Sequence, residues 1–334
     1  MKQGIDVHTH VVPEHFPSYA GTGKNVPWPS MHHDHCGHAQ VVISGKNYRR
    51  VGQACWDIAC RQRDLDGMQL AHQVLSPMPE LLSYWLDIED AKPLIRHLND
   101  SIAQMVAQAP AQFSGLGAVP LQDVDAAIEE LGYVMRQLRL RGVEIATHVN
   151  GVSIGDPRFE PFFAAASALN AAVFVHGLRP AGSERLVGPE ALAQVVAFPG
   201  DVALAAASMI TGGMMERNPD LKICFSHGGG SFPTVLPRLR HGWNTIPMVR
   251  DAFSMDPSIT ARRFYADTLT YDEQTLRLAL NTFGEDKLMI GTDYPFPVAD
   301  SAPLATLAAL GLGKEQLMAL RETNARRFLG MPLD

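Results

Sequence analysis

Eight short apolar runs alternate with longer stretches of helical periodicity, and this alternation limits the fold more than any other feature of the chain. The runs occupy residues 4–10, 70–77, 113–120, 142–148, 171–176, 221–227, 264–267 and 287–293. Helical patterning fills residues 57–68, 90–108, 123–140, 159–170, 189–217, 232–250 and 273–283, then 302–310 and 314–328. Asp123 is placed to cap its helix. The stretch 189–217 carries Pro199-Gly200, which predicts an interruption there. Strand and helix in strict alternation give a parallel sheet with right-handed crossovers. Eight such units close into a (β/α)8 TIM barrel, an α/β fold. An open doubly wound sheet is the alternative, but no G-x-G-x-x-G loop follows the first run. Gly228-Gly229-Gly230 lacks the following Lys-Ser/Thr of a Walker loop.

The expected organisation is a single domain over 1–334 with a small insertion after strand one, about residues 11–56. That insertion is rich in Pro, Gly and His, with one short strand expected at 41–46. It holds His32, His33, His35, Cys36 and His38, whose spacing matches no zinc finger and reads as a solvated loop.

The strand ends carry the chemistry. His8 and His10 stand two apart on one strand and so share a face. His176, His227 and Asp293 end the fifth, sixth and eighth runs. In a barrel all these ends meet at one rim, where active sites are built. Three histidines and an aspartate leave an open position on a divalent ion, as a catalytic zinc site requires.

A net charge of -7 opposes a nucleic-acid surface, and no Lys/Arg run suggests a membrane patch. Four cysteines form no CxxC pair or framework, which reads as reduced thiols in a cytoplasmic protein. The first run begins at residue 4, leaving no room for a signal peptide, and the apolar run at 202–215 is short for a membrane span.

The motifs Asp6-Val7-His8-Thr9-His10, Phe174-Val175-His176, Ser226-His227-Gly228-Gly229-Gly230 and Gly291-Thr292-Asp293-Tyr294-Pro295-Phe296-Pro297 resemble those of the amidohydrolase superfamily. Gln53-Ala54-Cys55-Trp56-Asp57 and Val119-Pro120-Leu121-Gln122-Asp123 extend the likeness over nearly the whole chain, to the branch of metal-dependent decarboxylases. The resemblance implies that His8, His10, His176 and Asp293 bind one zinc ion, with His227 as catalytic acid/base. It implies that Arg49 holds a substrate carboxylate, with Arg50 a rival. It also implies a homodimer in which Arg238 reaches the partner's site. Gly177-Leu178-Arg179-Pro180 departs from the family pattern, which leaves the substrate open and makes Arg179 a further candidate anion contact. Glu144, His148 and Asp267 are expected to support the site.

The implied reaction is non-oxidative removal of carbon dioxide from a small unsaturated or aromatic-derived carboxylic acid. A hydrolase or hydratase of a ring-cleavage product would use the same metal and His227. A catalytically silent metal- or ligand-binding protein is the alternative of another class.

Overall fold

The computed structural model describes residues 3–333. β1 (Ile5–Val11) is buried along its whole length. A three-stranded antiparallel meander follows: β2 (Ser30–His33), β3 (His38–Ile43) and β4 (Lys46–Gly52). This differs from the expected irregular segment with one strand. β2 and β4 are mostly solvent-facing, so their sequences lack the apolar alternation that marks a half-buried strand. β3 keeps it, with Ala39, Val41 and Ile43 buried.

The chain then returns to the barrel. β5 (His72–Pro77), β6 (Phe113–Gly117) and β7 (Gly142–Ala146) precede a small hairpin, β8 (His148–Val149) and β9 (Val152–Ser153). β10 (Ala172–His176), β11 (Lys222–Phe225), β12 (Tyr265–Asp267) and β13 (Leu288–Met289) complete it. These eight barrel strands are parallel, in the order β1-β5-β6-β7-β10-β11-β12-β13. The Val7 N–H donates to the Ile290 carbonyl at 2.8 Å, and Thr9 bridges Tyr294, bringing the last strand back to the first. The result is the eight-stranded TIM barrel expected from the alternation.

Helices wrap the outside. Asp57 and Asp123 cap theirs, each accepting from a backbone N–H three residues on. The core fills the space between strands and helices, with Phe162, Phe225, Phe264 and Phe283 among its buried side chains.

The expected break at Pro199-Gly200 is absent. A π-helical turn, Ala193–Ala197, runs directly into the helix Phe198–Thr211, which puts Pro199 just past the join of the two. The hydrogen-bond ladder changes register at that join, where a proline has no N–H to give. Ala193–Thr211 is the one helix among the described residues long and apolar enough to cross a membrane by length and composition. It lies against the barrel, burying Val202, Ala206 and Met209. Its buried Asp201 takes a hydrogen bond from Thr147. The four cysteines are free thiols.

Candidate active site

His8, His10, His176 and Asp293 converge at the C-terminal rim of the barrel, all buried, with potential ligand atoms within 4.8 Å of one another. His8 Nε2 lies 3.1 Å from His10 Nε2, and His10 Nε2 lies 3.1 Å from Asp293 Oδ1. His176 Nε2 is buried with no hydrogen-bond partner. Asp293 stands beyond the end of β13 at φ 65, its N–H bonded to the His8 carbonyl at 2.9 Å. A short turn, not the strand itself, carries its carboxylate inward.

The far side of each imidazole explains why the near side is open. His10 Nδ1 is 3.1 Å from the Pro77 carbonyl and His176 Nδ1 is 2.8 Å from the Gly177 carbonyl. A carbonyl only accepts, so both Nδ1 atoms carry the proton and both Nε2 atoms present lone pairs. His8 Nδ1 donates to Asp267 Oδ2 at 2.7 Å. That carboxylate outweighs the effect of burial and lifts the His8 imidazole to about 9. A cation among these nitrogens would compete with protonation of His8. Burial pushes the Asp293 carboxyl up, but the imidazoles of His10, His8 and His176 around it hold it well below the usual carboxylate range. Donors on a tetrahedral zinc stand about 3.3 Å apart, given bonds of about 2.0 Å, so the residues fit a divalent ion.

His227 sits beside this cluster, its ring 5.3 Å from that of His8 and 5.0 Å from that of His176. It occupies a left-handed turn at φ 57, immediately after β11. Asp267 fixes the turn. Its Oδ2 accepts from the His227 N–H at 3.0 Å and its Oδ1 from the Gly228 N–H at 2.8 Å. One carboxylate thus holds both His8 and His227. Burial, then repulsion from His8, pushes His227 down to about 4, so it is neutral near pH 7.

A cavity of about 460 Å³ opens over His176, His227 and Asp293. Tyr48 and Arg49 of β4 line it, so the small meander walls the barrel mouth. The Arg49 guanidinium stacks 4.0 Å over Phe296, and Phe296 stacks on His10. Arg50 points away and pairs with exposed Asp34 at 2.8 Å, which decides between the two arginines in favour of Arg49 as the residue facing the cavity.

The other candidates sit elsewhere. Arg179 does not line the cavity. Its guanidinium donates to Glu80 Oε1 at 2.9 and 2.6 Å and stacks 3.3 Å from the Trp85 ring centre. Arg238 is exposed on the helix Phe232–Thr245, outside the cavity lining, and makes no ion pair among the described residues. His148 bonds the Arg179 carbonyl and is half-buried. Glu144 is fully buried, takes a hydrogen bond from Ser76 at 2.6 Å, and is pushed up to about 8 by burial. His32, His33, His35 and Cys36 are exposed, and His38 is half-buried. Phe296 and Glu80 went unassigned from sequence. The only signal for Phe296 was its place in the Asp293-Tyr294-Pro295-Phe296 motif, and Glu80 had none.

The Amidohydrolase family matches residues 5–331. The chain belongs to this family. It is 37% identical over 334 residues to the 2-amino-3-carboxymuconate-6-semialdehyde decarboxylase of Dictyostelium discoideum, covering 98% of this chain and 91% of that one. Among solved structures, the 5-carboxyvanillate decarboxylase of Sphingomonas paucimobilis aligns with a TM-score of 0.77 and 26% identity, over 84% of this chain and 85% of that one. A dihydroxybenzoic acid decarboxylase from Polaromonas, solved with bound manganese, shares the fold at a TM-score of 0.77 and 20% identity, over 99% and 97% of the two chains. These amidohydrolase relatives are named decarboxylases, in keeping with the branch that the motifs resemble.

Proposed function

We propose that this amidohydrolase is a metal-dependent carboxy-lyase that removes carbon dioxide from a small unsaturated or aromatic carboxylic acid. The observation that carries the reading is the unpartnered, buried His176 Nε2 facing the His8, His10 and Asp293 donors at the floor of an arginine-bearing cavity. The named relatives act on acids of this kind. His8, His10, His176 and Asp293 hold one divalent ion. Zinc suits three imidazoles and a carboxylate, and manganese is the rival because a structural neighbour carries it.

A bound divalent ion supplies Lewis-acid chemistry at the cavity floor. Arg49 meets the substrate carboxylate with its planar fork, and Phe296 beneath it keeps that fork in plane. Neutral His227 takes up a proton and delivers it to the substrate carbon that bears the carboxylate. The carbon–carbon bond then breaks, carbon dioxide leaves, and the proton remains on carbon.

Arg238 belongs to a second copy's site in this reading. It stands on a helix face that also exposes Val235, near the exposed Ile246 and Met248, and an exposed apolar face of this kind suits a homodimer contact. Free thiols fit a reducing, cytoplasmic setting.

The test incubates metal-loaded protein with a panel of carboxymuconate-type and hydroxybenzoate-type acids and follows product mass. Loss of carbon dioxide supports the reading. Gain of water moves the protein to a hydratase or hydrolase, and no turnover with full metal occupancy moves it to a binding protein.

A further inference from the structure

The cavity has two sides of different chemistry. Arg49 rests on Phe296, which follows β13, and Phe296 stacks on His10 of β1. β10 is the fifth of the eight barrel strands counted from β1, so the chain that follows it stands half-way round the rim from this group. That chain enters the cavity wall through Gln194 and Val195 of the π-helical turn Ala193–Ala197, then through Phe198 and Pro199. The turn reads Ala-Gln-Val-Val-Ala, with Gln194 its only polar side chain. Single π-helical turns are rare and occur frequently at functional sites.

The polar side chains on this far wall differ in whether their hydrogen bonds are already used. Thr234 gives its hydroxyl to the Ser231 carbonyl at 2.7 Å, Thr270 to the Asp272 carbonyl at 3.2 Å and Tyr271 to the Val298 carbonyl at 2.9 Å. Thr275 bonds the Asp272 carboxylate with its N–H at 3.0 Å and with its hydroxyl. The Gln194 amide, by contrast, has no hydrogen-bond partner among the described residues. Ser231 stands at a helix N-cap, where serine ordinarily bonds the first turn, yet its hydroxyl makes no such bond. Its N–H donates to the Pro199 carbonyl at 2.9 Å, which ties it to the stretch that carries Gln194.

We propose that Gln194 and Ser231 are specificity-determining residues, which recognise a neutral hydrogen-bonding substituent (a hydroxyl, amino or carbonyl group) on the part of the substrate that points away from Arg49. An amide both donates and accepts, so it meets such a group without adding charge. A substrate with a methyl group there displaces water from the amide and leaves it unpaired, which costs more than the lost bond alone. The inference rests on reading Arg49 as the contact for one substrate carboxylate, and it names what the site requires at the other end.

The test measures binding rather than turnover. The hydroxy acids 3-hydroxybenzoate and 4-hydroxybenzoate, and their counterparts 3-methylbenzoate and 4-methylbenzoate, are titrated calorimetrically into metal-loaded protein. None carries the ortho hydroxyl that would chelate the ion. Each probe has one carboxylate, so Arg49, and any Arg238 supplied by a second copy, cancel from the ratio within a pair. Wild type should bind at least one hydroxy acid about tenfold tighter than its methyl counterpart. Gln194→Leu should erase that preference while binding the methyl acid as well as wild type does, whereas damage to the fold would weaken both probes. Ser231→Ala should lower the preference about threefold. Wild type that favours neither hydroxy acid, or binds no probe, overturns the proposal. So does either variant that keeps the full preference, or a Gln194→Leu protein that weakens both probes alike. The expected preferences with no release of carbon dioxide from any acid refute the decarboxylase reading alone, and release of carbon dioxide without the preferences refutes this inference alone.

Discussion

Asp267 joins the two halves of the chemistry: one carboxylate orients the His8 imidazole and pins the backbone at His227 and Gly228. Asp267→Asn preserves the shape but weakens the support of His8. Metal affinity should fall about 10–100-fold, the usual effect of losing a carboxylate behind a ligating histidine, as read by competition with a chromogenic chelator. His227→Ala should lower turnover about 10²–10⁴-fold while leaving metal content unchanged. Normal turnover in that variant would remove His227 from the mechanism. Arg61 is a different case. It is fully buried and donates to the Ala54 and His10 carbonyls and to Gln73. Arg61→Met orphans these acceptors and should destabilise the fold by about 3 kcal/mol in urea unfolding. At this scale the strand-end His8, His10, His176 and Asp293 were legible because a barrel brings such ends together whatever the intervening sequence. Glu80 was not, because its partner Arg179 is 99 residues away and the loops between carry no period.

At the scale of elements, the turn after β11 is the most demanding piece of backbone. His227, Gly228, Gly229 and Gly230 all have positive φ. A Cβ at Gly230 would lie 2.1 Å from the Pro199 carbonyl oxygen, so only glycine lets this turn dock against the helix that begins at Phe198. Gly230→Ala should therefore cost more than about 1–2 kcal/mol, since steric overlap adds to the strain of a backbone (φ 58, ψ -137) open essentially to glycine alone, and should displace His227, lowering turnover with metal still bound. The barrel strands were readable because strands buried on both faces appear as continuous apolar runs. The meander was only partly readable, since β2 and β4 bury little and leave no such signature. Even so, it brings Arg49 to the cavity. The continuous helix through Pro199 escaped because a proline inside a helical stretch looks, in sequence, like a break.

For the whole molecule, ion binding and folding are coupled, because a preformed donor cluster exists only in the folded chain. At free metal about 100-fold above Kd, the holoprotein should be about 2.7 kcal/mol more stable than the apoprotein, visible as a higher Tm after reconstitution. Acid should act separately, through His72. Burial pushes this imidazole down to about 4, and it bonds Ser114 at 2.9 Å. As pH falls below the ordinary histidine value of about 6.5, the unfolded chain takes up a proton that the folded chain refuses. Stability present above that pH should fall by on the order of 3 kcal/mol by pH 4, and His72→Gln should flatten that slope in urea titrations at pH 7 and pH 5.

The central claim is that side chains from two barrel strands, β1 and β10, and the turn after a third, β13, hold one ion. Its most direct measurement is metal content per chain after equilibrium dialysis, by plasma mass spectrometry, for the wild type and for His10→Ala and His176→Ala. The account predicts one ion per folded wild-type chain and near-complete loss in both variants. Wild-type stoichiometry retained by either folded variant would contradict it.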